Sequence, residues 1–149
     1  MGGARTPHLD SVAERSAALA LAKYYEVEHH GSMRIHDPAF MLDNAYVWRP
    51  MPDFRILRPL GEADPLRLTY PAWVEHKQIG IRPNGRAFRS YAPPWLQYAD
   101  SDVTIVVSAP GRGFWAVFAP DAVRSARRVF SGRHIWLEWP ITDFRPVVL

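Results

Sequence analysis

The residues best suited to chemistry fall into a few short groups. His29, His30, His36 and Asp37 lie within nine residues, and imidazole with carboxylate is the ligand set of hydrolytic zinc and manganese sites. Adjacent side chains on a helix point about 100° apart, however, so His29 and His30 cannot readily share one ion. At a helix end they instead complement the helix dipole. No metal site and no cofactor are therefore expected. A small metal-dependent hydrolase, using His36, Asp37 and a distant His76 or His134, stands as the third reading.

General acid–base chemistry needs paired carboxylates or a histidine–carboxylate pair. Glu75–His76 and Asp100/Asp102 are the local candidates. Neighbours on a strand face opposite sides, which separates Glu75 from His76, and Asp100 and Asp102 flank a strand start where turn hydrogen bonds are the simpler role. No G-x-S-x-G nucleophile motif occurs. Ala109-Pro110-Gly111-Arg112-Gly113 lacks the spacing and lysine of a phosphate loop and leads into a strand. No catalytic residue is assigned.

Arginine supplies the clearest pattern. Between Gly111 and His134 lie Arg112, Arg124, Arg127, Arg128 and Arg133 against Asp121 alone, a local +4, while the rest of the chain holds 13 basic and 14 acidic residues. The guanidinium fork suits carboxylates and phosphates. Six tryptophans and 14 prolines place aromatic, proline-flanked segments around Trp95 and Trp139, of a kind enriched at interfaces. The leading reading is a non-catalytic protein-binding or assembly protein: an accessory subunit of a phage particle or multiprotein complex, or an inhibitor docking on a partner protein. Arg112, Arg124, Arg127, Arg128 and Arg133 would make its polar contacts, with Trp95 or Trp139 as apolar anchor. The alternative is a nucleic-acid-binding module that sets the same arginine-rich helix face on phosphates.

These residues need a scaffold. The 149 residues contain no cysteine, which removes disulfides and thiolate chemistry. No apolar run reaches the length of a membrane span or a signal-peptide core, so a cytoplasmic or particle-bound location is expected. Residues 1–10 read as a flexible lead and Ser11–His30 as a helix, with Ser11 and Glu14 spaced as a capping box. Residues 1–32 thus form a lead plus helix, either native to the fold or a fused or partner-binding segment, and 33–149 form one α+β domain. Strands are expected at Phe40–Trp48, Phe54–Leu57, Leu66–Tyr70, Val74–Ile81 and Ala87–Tyr91, with prolines pushing them toward sheet edges. Val103–Ala109 and Phe114–Ala119, apolar on both faces, read as central strands joined by a Gly-rich hairpin. Pro120–Ser131 reads as an amphipathic helix and His134–Trp139 as a strand, giving a C-terminal ββαβ unit. The expected fold is a mainly antiparallel sheet of about five to seven strands with that helix and the N-terminal one packed on it.

Overall fold

A computed structural model describes residues 12–29 and 52–149. The expected lead, the Ser11 cap, His30, His36, Asp37 and the Phe40–Trp48 strand lie outside the described residues. The fold is α+β, with ten strands and few helices, in the order α1 (Val12–Ala22), β1 (Tyr25–His29), β2 (Phe54–Pro59), β3 (Ala72–Gln78), β4 (Gly80–Ile81) and β5 (Ala87–Tyr91). A single helical turn, α2 (Pro93–Leu96), precedes the β6 (Val103–Ala109) and β7 (Gly113–Phe118) hairpin. Then follow α3 (Ala119–Ser125), β8 (Arg127–Ser131), β9 (His134–Pro140), a 3-10 turn and β10 (Arg145–Val147).

The strands form two sheets. The main sheet runs β1-β2-β3-β6-β7-β10 and the small one β4-β5-β9-β8. All pairings are antiparallel except β3 with β6, which run parallel from Trp73–Val103 to Gln78–Ser108. A parallel pair requires a crossover, and here the β4–β5 hairpin and α2 provide it. The small sheet and α3 cover one face of the main sheet, with Trp95, Trp139, Phe88, Leu137 and Phe144 packed on Ile105 and Val107. On the opposite face, Leu21 and Tyr25 pack with Phe54, Ile56, Val74 and Val106. As expected for a strand covered on both sides, β6 is buried almost throughout.

Several boundaries differ from expectation. The N-terminal helix stops at Ala22, and β1 then pairs with β2 from Tyr25–Pro59 to His29–Phe54. Residues 12–29 are thus built into the main sheet and its helical cover, not set apart from it. Leu66–Tyr70 is irregular. The proline-flanked Val74–Ile81 segment is divided: β3 sits in the middle of the main sheet, and only Gly80–Ile81 joins the small one. The helix expected over Pro120–Ser131 ends at Ser125, because Ala126 adopts an extended backbone. Arg127–Ser131 is an edge strand, and Gly132 is the positive-φ residue of the β8–β9 hairpin.

Candidate active site

β2 pairs with β3 only through Ala72–Val74, while β6 accompanies β3 to Gln78. Beyond Val74 the β2 side of β3 is therefore unmatched by any strand among the described residues, and the start of β2 curls into the gap. There the Asp53 carboxylate accepts a hydrogen bond from the His76 backbone N–H (2.9 Å), and the Asp53 N–H donates to Glu75 Oε1 (2.9 Å). Asp53, Glu75 and His76 are the buried polar and charged residues of the described fold. Two residues along β3, on the same face as Glu75, Lys77 Nζ donates to Glu75 Oε2 at 3.3 Å, and both side chains are nearly covered.

Two further groups close on this cluster. Glu14, on the first turns of α1, hydrogen-bonds Asp53 and lies 3.7 Å from His29 Nε2. Tyr98, following α2, lies near enough to Glu75 for that carboxylate to raise its hydroxyl, and its ring lies 5.9 Å from Lys77 Nζ. Asp53 thus sits between two carboxylates, with Glu14 on the α1 side of the sheet and Glu75 on the other, where Lys77 and Tyr98 also lie. Beside them His76 turns to the other face of β3 and meets Ser108 Oγ at 2.7 Å.

The electrostatics mark a cluster whose carboxylates are crowded out of water, so that Asp53 keeps its proton near neutral pH. Burial, and then the neighbouring Glu75 and Glu14 carboxylates, push Asp53 up to about 9. Burial lowers His76 to about 4, so it is a neutral imidazole near neutral pH. Burial and the Glu75 and Asp53 charges raise Tyr98. Like charges packed together oppose folding, and a divalent cation is the natural relief. Among the described residues no three His, Cys, Asp or Glu side chains form a ready-made metal cage. The donor set nonetheless fits magnesium, which typically takes one or two carboxylates and completes its shell with water and substrate phosphate.

No family model matches the chain, and no curated protein does. One solved structure is similar. It is that of D212, a nuclease from a fusselovirus, with a TM-score of 0.51 over 93% of this chain and 89% of that one. At 10% identity the likeness is one of fold. With the buried carboxylate–lysine cluster, it overturns the expectation of a non-catalytic assembly or inhibitory protein, since neither observation belongs to a surface that works only by docking.

The residues singled out in the sequence are not brought together. Trp95 and Trp139 are fully buried, pack with their rings tilted at 4.6 Å between centroids and spend their indole N–H groups on Ser90 Oγ and the Ala122 carbonyl. They are core residues with no surface to offer a partner. Arg124 pairs with Asp121 and Arg127 with Glu138. Arg112, Arg128 and Arg133 are exposed at separate points. No helix face joins Arg124, Arg127 and Arg128, because the helix ends before Arg127. Asp100 and Asp102 are exposed, and His134 lies on the small sheet.

Asp53, Glu14 and Lys77 were missed. The usable signal was Glu75-x-Lys77, two opposite charges on one face of an otherwise apolar strand. The pairing weighed from the sequence, Glu75 with His76, was the one that strand geometry separates. No helix among the described residues is long and apolar enough to cross a membrane.

Proposed function

We propose that this chain is a divalent-metal-dependent nuclease, with Asp53, Glu75 and Lys77 as its catalytic residues and Glu14 alongside. The observation that carries the reading is the buried contact of Asp53 with Glu75, and of Glu75 with Lys77, at the point where β2 leaves β3. The likeness in fold to a viral nuclease supports it.

Asp53 and Glu75 would hold the cation. When bound, it would supply Lewis-acid polarisation of the phosphodiester and a water acidified for attack. The remaining work belongs to the chain. Lys77, fixed by Glu75 and covered by Tyr98, places a positive charge where negative charge grows on the phosphate in the transition state. Phosphate chemistry of this kind depends mainly on positioning and charge, which a rigid central strand provides. The exposed arginines Arg112, Arg128 and Arg133 supply cations for the polynucleotide backbone.

The test is cleavage of single-stranded, duplex and branched DNA and RNA with Mg²⁺ or Mn²⁺, beside Asp53→Asn and Glu75→Gln. Metal-dependent cleavage abolished in both variants is expected. Failure to cut any substrate, or cleavage indifferent to both substitutions, overturns the assignment.

A further inference from the structure

We infer that the outward face of the small sheet binds an unpaired polynucleotide strand, stacking bases on Tyr91 and Trp136. The inference rests on the nuclease reading and adds to it the form of nucleic acid that the protein engages. In the register of β5 with β9, Tyr91 lies opposite Trp136 and Arg89 opposite Glu138. On β8, Val129 lies opposite Trp136 and Arg127 opposite Glu138. Directly opposed residues share a face, and Phe88, Leu137 and Trp139 occupy the inward one. The outward face therefore carries Tyr91, Trp136 and Val129 in one row and Arg89, Glu138 and Arg127 in the next, with His134 two residues from Trp136 along β9.

The rings form one connected surface. Tyr91 meets Trp136 at 5.5 Å and His134 at 5.6 Å between centroids, both edge to face. The Arg89 guanidinium lies 4.9 Å over Trp136. Tyr91 is 40% exposed, although a hydrophobic pair of this size would gain from being covered.

Charge selects the occupant. Leaving out Arg128, which lies opposite Leu137 on the inward side, the two hairpins of this sheet, residues 80–91 and 127–140, hold Arg82, Arg86, Arg89, Arg127 and Arg133 against Glu138, a net +4 in a chain whose total is +3. Glu138 is shared between Arg89 and Arg127, which leaves most of the excess without a carboxylate in the sheet. Aromatic rings interleaved with excess arginine are the means by which proteins hold single strands: each base presents a π-face and each linkage a phosphate. A duplex hides those faces.

The test measures anisotropy of a labelled oligothymidylate and of a duplex of equal length, in EDTA, so that binding is read whether or not the protein cleaves. Tyr91→Ala/Trp136→Ala is expected to weaken oligothymidylate binding about tenfold or more, the scale of lost base stacking, and to leave duplex affinity within about twofold. Trp136→Phe, which keeps a ring, should restore most of the loss. Thermal melts of each variant establish that it is folded, and the rescue by phenylalanine separates stacking from damage to the sheet. Unchanged oligothymidylate affinity, or equal loss on both ligands, overturns the inference. So does sedimentation showing that the face mediates self-association while strand binding is unaltered in the double variant. Absence of nuclease activity with ring-dependent binding retained would defeat the catalytic assignment alone.

Discussion

Replacing Asp53 by asparagine should make the protein more stable in alkaline solution, an effect opposite to that of most buried substitutions. Asp53 is raised to about 9 from its ordinary 3.8 by burial and by Glu75 and Glu14. The folded protein therefore holds a proton that the unfolded chain releases, so the Asp53 contribution to stability falls as pH rises from about 4 toward 9. His76 acts in the opposite sense. Lowered to about 4 from 6.5, it makes the folded state bind fewer protons than the unfolded one in that interval, and its contribution is lost as pH falls through it. The two slopes offset one another between about pH 4 and 6.5. Above 6.5 only the Asp53 slope remains, at ~1.4 kcal/mol per pH unit. By about pH 8 the wild type should have lost about 2 kcal/mol, or about 4–8 °C in Tm for a chain of this size. Asparagine keeps an oxygen for the His76 N–H and donates to neighbouring carboxylates without charge. Asp53→Asn should therefore hold its Tm above pH 6.5 and show a rising Tm between about pH 4 and 6.5 as the His76 slope is uncovered. Thermal denaturation across pH, without divalent cation, measures both. A wild-type Tm that is flat from pH 6.5 to 8.5, or a variant that falls in parallel, would refute the charge-crowding account.

Other outcomes follow from the same geometry. Added Mg²⁺ or Mn²⁺ should raise the wild-type Tm at about pH 8 and release protons measurable in weak buffer, and Asp53→Asn should show neither response. Lys77→Met should slow cleavage about 10²–10³-fold, the usual cost of removing one transition-state charge, while the midpoint of the metal-induced Tm shift stays where it was. Trp139→Ala should cost about 3–5 kcal/mol in urea denaturation, as large core truncations do, where an exposed anchor would cost little. Ser108→Ala, which deprives the buried His76 imidazole of its 2.7 Å partner, should cost about 1–3 kcal/mol. Arg127→Ala, removing an exposed pair, should change stability by less than about 1 kcal/mol.

The sequence was most legible where local pattern and tertiary context agree. The β6–β7 hairpin could be read because both strands are apolar on two faces and Gly111 and Gly113 take the positive φ that the turn needs. Arg127–Ser131 could not, because Val123, Ala126, Val129 and Phe130 recur at helical spacing while an edge strand, wet on one side, imposes no alternation of its own. Prolines at positions 71 and 83 pointed β3 toward an edge, yet they lie just outside it and leave its interior free to pair on both sides. The site was harder still. Asp53 lies 22 residues from Glu75, and Glu14 belongs to a helix whose apolar face gave no sign of what its first turn would touch. Only the sheet register brings these carboxylates together, and register is a long-range property that no local spacing encodes.

On the proposed nuclease reading, the crossover between β3 and β6 also bears on when the protein becomes able to cut. A chain still emerging from the ribosome and ending before Val103 already carries Glu14, Asp53, Glu75 and Lys77, but it lacks the parallel neighbour that holds β3 straight. The last strand of the small sheet, β9, comes more than thirty residues later again. Pairings between distant segments form slowly, after the intervening chain has been ordered. On the nuclease reading, cleavage competence arrives with the finished fold, and an incompletely made chain is harmless to the nucleic acid around it.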